Sequence, residues 1–229
     1  MKKSMVILFA VVLVFGVVGV VNAALITYSF EGTVCSTNDH GTGLLDSSVV
    51  IDSSLVGTYT FDSEVSDSQG RSYLAVYQQH ISEGASFTLT VGNYGLNVIG
   101  GFYDIQIEND GGNGNNNDKY SVESGIGTYI ITNGVDTFTS LGFSMDLRDF
   151  NDGDVFSNTA LPTSLDLSLF SDSGTILITY NDGLGGSVDI NAHISSITEM
   201  APVPEPATML LLGSGLIGLV GFRRKFGKS

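Results

Sequence analysis

The chain has no tryptophan, one cysteine, four prolines and nine basic residues among 229, and each shortage narrows what it can be. A lone cysteine, Cys35, cannot close an intramolecular disulfide, so the fold has to rest on its own core. The basic residues are scarcer still in the middle. Lys2 and Lys3 lie near the start and Arg223, Arg224, Lys225 and Lys228 near the end, which leaves Arg71, Lys119 and Arg148. Set against 23 of the 24 acids, these three give residues 24–203 a net charge of −20. Such a surface repels phosphate backbones and anionic headgroups, which excludes nucleic acid as a partner and leaves divalent cations and neutral carbohydrate.

Signatures of catalysis are missing as well. No His-Glu-x-x-His, Cys-x-x-Cys or Gly-x-Ser-x-Gly occurs, so zinc-site and nucleophile-elbow patterns are absent. The three histidines do not assemble: His40 sits in a turn, His80 follows two glutamines, and His193 falls on the polar face of its strand if Ile190, Ala192 and Ile194 face the core. The expectation is a non-enzyme with no catalytic residue, bound metal or cofactor. A hydrolase built on two of the many carboxylates is the enzymatic alternative.

Both ends are apolar in a way the middle is not. Met1-Lys2-Lys3-Ser4 precedes an apolar run from Met5 to Val21, then Val21-Asn22-Ala23. A positive start, an apolar stretch and a small-x-small site make a secretory signal peptide over residues 1–23, cut between Ala23 and Ala24. The other end reads Pro202-Val203-Pro204-Glu205-Pro206, then the uncharged Met209–Phe222, then Arg223-Arg224-Lys225. Closely spaced prolines hold that segment extended and outside any helix or central strand. As a helix, Met209–Phe222 spans about 21 Å, short of a typical ~30 Å hydrocarbon core but enough for a weak span where the bilayer thins. The basic cluster behind it stays cytoplasmic, as Lys2 and Lys3 do, so the acidic body lies outside.

Pro204-Glu205-Pro206, the short apolar helix and the Arg-rich end, in that order, resemble the PEP-CTERM sorting domain of diderm bacteria. The resemblance covers residues 204–229. It implies recognition and removal of the tail by an exosortase, a membrane-embedded transpeptidase-like enzyme, after transient insertion in the inner membrane. It also implies a host protein associated with extracellular polysaccharide and biofilm. Pro204, Glu205 and Pro206 take the role of sorting motif, and Arg223, Arg224 and Lys225 that of a basic stop.

The body, residues 24–203, alternates at period two and shows no amphipathic helix. Leu165-Asp166-Leu167-Ser168-Leu169 is the clearest alternation. Further strands are expected at Leu25–Val34, Leu55–Phe61, Ser86–Val91, Tyr94–Ile99, Tyr103–Ile107, Thr128–Thr132, Phe143–Leu147, Thr175–Tyr180 and Val188–Ile194, parted by Asn-, Asp- and Gly-rich turns. Ten or so short strands predict a single antiparallel β-sandwich of jelly-roll type, flanked by the signal peptide and the transmembrane sorting helix.

Two loops are dense in oxygen ligands. Glu108–Asp118 has no EF-hand spacing, and Asp149–Asp154 puts Asp154 where a calcium loop needs glycine, so both read as solvated loops. Tyr59, Tyr73, Tyr77 and Tyr103 are candidate stacking faces for sugar, although alternation buries some of them. The chain therefore reads as an exported surface or extracellular-matrix protein with a structural or adhesive role. Its partners would be the secretion translocon, an exosortase and exopolysaccharide. A carbohydrate- or calcium-binding module is the alternative.

Overall fold

The computed structural model describes residues 25–40, 43, 45, 47–110, 117–132, 137–138, 140–151, 155–172, 174–181 and 187–201. Ala23, Ala24, the Pro204-Glu205-Pro206 motif, the Met209–Phe222 run and Arg223–Lys225 lie outside the described residues. Among those described, no helix is long and apolar enough to cross a membrane.

Alternating apolar residues need one buried face, and ten strands supply it: β1 (Leu25–Asp39), β2 (Ser54–Asp62), β3 (Leu74–His80), β4 (Ser86–Val91), β5 (Tyr94–Glu108), β6 (Asp118–Thr132), β7 (Thr137–Phe138), β8 (Ser140–Asp149), β9 (Thr175–Asn181) and β10 (Ser187–Met200). Every pairing is antiparallel, and the ladder runs β3-β5-β4-β2-β1-β10-β9-β8-β6-β7 with a further β5–β6 pairing. That last pairing closes eight of the strands into a barrel. The expected sandwich is corrected on this point, because a sandwich keeps free sheet edges and this ring has none.

Closure depends on β5. Its first residues, Tyr94–Asn97, pair with β4, while Phe102–Glu108 pair with β3, and β6 runs along the other side throughout. Register slips at Val98/Gly100 and at Gly101/Tyr103 bend the strand where Gly101 takes a φ of 79°. A bulge at glycine lets one strand turn a corner without losing its partner. Two expected strands, Tyr94–Ile99 and Tyr103–Ile107, are thus one bent strand.

An eight-stranded barrel is just wide enough for side chains to fill. Here the filling is aromatic. Phe87 of β4 stacks on Phe143 of β8 across the interior, with ring centroids 4.0 Å apart. Tyr59 of β2 reaches Tyr120 of β6, hydroxyl to hydroxyl at 3.0 Å. Tyr28, Phe30, Phe61 and Tyr103 complete the packing, all nearly or fully buried. Burying such rings is the chief stabilisation available to a chain without disulfides.

Two expectations about strands fail for identifiable reasons. Leu165–Leu169 is not a strand: Leu167–Leu169 is a short 3-10 turn, because the Asp166 carboxylate accepts from the Ser168 amide at 2.9 Å and its hydroxyl at 2.7 Å. A local side-chain bond of this kind competes with the sheet ladder. Conversely, β3 has no expected counterpart, since Gln79 breaks its apolar pattern. That glutamine is fully buried, its Oε1 accepting from Asp62 N at 2.9 Å and its Nε2 donating to Asp62 O at 3.3 Å. Its amide stands in for a neighbouring strand at the end of β2.

Candidate functional site

The two oxygen-rich loops meet at one end of the barrel. Asp118 opens β6 and Asp149 closes β8, and the two are direct partners in the ladder. Both are buried, at 2% and 3% exposure. Asp118 accepts from the amides of Asp110 (3.0 Å) and Phe156 (2.7 Å), and Asp149 from that of Asn151 (3.1 Å). Asp118 therefore staples the stem of one loop to the other. The middles of both loops, 111–116 and 152–154, lie outside the described residues. Among those described, no group of three or more His, Cys, Asp or Glu is placed to hold a metal ion.

Removing the staple strands two amides in a buried place, each worth about 1–3 kcal/mol. Asp118→Ala is expected to lower the unfolding free energy by about 2–4 kcal/mol, equally with and without a chelator. Urea denaturation in both conditions checks it. A wild-type stability that falls on chelation would instead mean that the loops hold a cation.

Beside this end, the outer face of β5, β6 and β8 gathers two of the body's three basic residues. Lys119 Nζ lies 3.0 Å from Glu123 Oε1 and 3.4 Å from Asp146 Oδ1, and Arg148 donates to Asp146 Oδ2 at 3.1 Å. Residues 119, 121 and 123 share a face, so the lysine stem crosses Ser121, which is fully buried. Gln106 Nε2 holds the other Glu123 oxygen at 2.9 Å. Across the ladder from Glu123 sits Asp104, whose carboxyl is raised above the ordinary range by burial first and by Glu123 second.

Next to Glu123 the pairing changes. β8 pairs with β6 through Ser144–Asp149, whereas Phe143 and the residues before it pair with β9 alone among the described ladders. A cleft of about 270 Å³ opens there, lined by Glu123, Ser124, Gly142, Phe143, Ser144, Leu177 and Thr179. Of these, Phe143 is 3% exposed, its ring stacked inward on Phe87. Thr179 is held by Asp189, whose carboxylate accepts from Thr179 Oγ1 at 2.8 Å and lies 2.9 Å from His40 Nε2. The His40 hydrogen bond keeps the Asp189 carboxyl below its usual range.

The remaining sequence candidates are dispersed. His80 packs on Phe102, 5.5 Å between rings, and His193 is exposed while Ile190, Ala192 and Ile194 are buried. Cys35 is half-buried at a register slip of β1, its thiol directed at Asn191 O at 3.5 Å. Of the four tyrosines offered as sugar platforms, Tyr59, Tyr77 and Tyr103 point into the core, and Tyr73 is 37% exposed. The cleft residues carried no motif. What unites them is a ladder partnership that no local pattern reveals.

These features define an all-β protein built as a closed antiparallel barrel. Residues 202–225 match the family described as the PEP-CTERM protein-sorting motif, so this is a PEP-CTERM sorting domain-containing protein, targeted to an exosortase and passing through a membrane on export. The match spans the tail and leaves the barrel unassigned. No curated protein and no solved structure matches the chain.

Proposed function

We propose that the barrel is the cargo of this sorting system, released to the cell surface or extracellular matrix, where it serves a structural or adhesive role without catalysing a reaction. The observation that carries this is position. The sorting match begins at residue 202, two residues past Met200, the last residue of β10. β10 is held on both sides, by β1 and β9, so cleavage in the tail leaves the barrel intact. The leader brings the chain through the inner membrane, and Met209–Phe222 stops it there. Arg223, Arg224 and Lys225 resist translocation, at roughly 2.5–3.5 kcal/mol each on insertion scales. Pro204-Glu205-Pro206 is then presented at the outer face. With a net charge of −20 over residues 24–203, the released body suits neutral exopolysaccharide better than anionic polymers.

Glu205→Ala is expected to leave export intact and to trap a longer, membrane-bound precursor. Mass spectrometry of the wild-type surface form should find a C-terminus upstream of Met209. Recovery of surface protein still carrying Arg223–Ser229 would show an ordinary single-pass anchor instead.

A further inference from the structure

We infer that the cleft between β6, β8 and β9 binds one sugar unit of a neutral glycan; this rests on the reading above and names the chemistry of its partner. Size comes first. About 270 Å³ is at the lower edge of small-molecule sites, roughly 300–1,000 Å³, and suits a single ring rather than an extended chain.

The hydrogen-bonding groups fit a polyol. Glu123 is locked by Lys119 Nζ at 3.0 Å and Gln106 Nε2 at 2.9 Å, and each oxygen keeps a lone pair for a ligand hydroxyl. Thr179 Oγ1 donates to Asp189 at 2.8 Å, which leaves its lone pairs to accept. Ser124 Oγ accepts from Phe143 N at 3.2 Å, which leaves its own proton to donate. Acceptors and a donor held on rigid strands match hydroxyls that do both. Leu177, 39% exposed, offers an apolar patch for the C–H face of a ring.

Charge selects among glycans. Asp104 and Asp189 stand behind the rim and the body is strongly acidic, so uronate and sulfate units are repelled. Lys119 pairs with Glu123, which weakens that carboxylate's own pull on a cationic ligand. With the Phe143 ring turned inward and no exposed aromatic among the described lining residues, a single site is weak, with a Kd on the order of 1 mM, and attachment to a polymer comes from many copies engaging repeated units.

Gly142 supplies the test. Among the described residues, a Cβ there meets nothing nearer than Ser124 Oγ at 3.8 Å, so Gly142→Leu fills the cleft while sparing the fold. The full chain, held in a sugar-free zwitterionic detergent, is assayed by saturation-transfer NMR with the methyl glycosides of glucose, galactose and mannose. Retention on immobilised glucan, galactan and mannan follows, with alginate and hyaluronan as anionic controls. We expect retention by at least one neutral polymer, a loss of ten-fold or more in Gly142→Leu at unchanged melting temperature, and a several-fold loss in Leu177→Ala. No neutral glycan retained, preference for the anionic polymers, or full retention by Gly142→Leu overturns the assignment. None of these outcomes bears on sorting, which the Glu205→Ala precursor tests separately.

Discussion

Gly57→Ala is expected to cost about 3 kcal/mol of unfolding free energy, although it adds one methyl group, because that methyl has no room. Gly57 faces inward on β2, opposite Phe30 of β1 in the ladder, and the Phe30 ring lies across it. A Cβ at residue 57 overlaps Phe30 Cζ and lies 2.6 Å from the carbonyl oxygen of Thr88, which is backbone and part of the β2–β4 pairing. The ring is not free to retreat: Phe30 is 1% exposed and packs on Phe87 at 5.9 Å and Tyr59 at 6.2 Å. The measurement is the urea midpoint at constant slope. Combining Gly57→Ala with Phe30→Leu should lose less than the sum of the two changes, since the ring clash is shared, while the Thr88 clash persists. A neutral Gly57→Ala would mean that β1 and β2 are not packed as described.

The second large effect is alkaline unfolding with tyrosine as its trigger. Among the described residues, Tyr28, Tyr59, Tyr77, Tyr94, Tyr103, Tyr120 and Tyr180 are buried. Burial disfavours the phenolate, and pushes Tyr28 up from 10.0 to about 12, with Glu199 adding to the shift. Tyr59 and Tyr103 are raised well above the ordinary value, burial being the largest cause in each, and Tyr120 is raised for the same first reason. A pKa raised in the folded state means that the native protein holds protons the unfolded chain gives up. The stabilisation is therefore complete below pH 10 and is lost as pH rises through 12. Several such tyrosines acting together weigh heavily against the ~5–15 kcal/mol of a typical domain. Near-ultraviolet absorbance should show Tyr28, Tyr59, Tyr103 and Tyr120 ionising together with loss of the β-sheet circular dichroism signal. Smooth titration of all the tyrosines near their ordinary value, with the sheet intact, would contradict the packed barrel.

The site was the least legible part of the chain. Tyr59 and Tyr103 drew attention as sugar platforms, yet both belong to the core, where Tyr103 donates to the Thr60 carbonyl at 2.6 Å. Glu123, Gly142, Leu177 and Thr179 drew none, because a glutamate, a glycine, a leucine or a threonine on a strand looks the same whether or not a cleft opens beside it. Asp118 and Asp149 were each visible in an oxygen-rich loop. Their direct pairing across 31 residues of sequence was not.

What the sequence by itself determined was most of what depends on neighbours along the chain, the local Asp166–Ser168 turn excepted. Period-two alternation in Ser86–Val91 or Val188–Ile194 dictates strands, since successive side chains take opposite faces and one face needs burial. The sorting tail was legible for the same reason: it is a contiguous signal, and residues 202–225 match the PEP-CTERM protein-sorting motif. Only the tertiary structure decided that the strands close into a barrel. Alternation tells a strand which face is inside but not which strand lies beside it, so sandwich and barrel share one pattern. That choice fell to long-range partnerships, with the bulge at Gly101 letting β5 serve both β3 and β4 while β6 seals the ring. The cleft beside Gly142 exists because β8 there keeps β9 and leaves β6, a parting that only ladder geometry records.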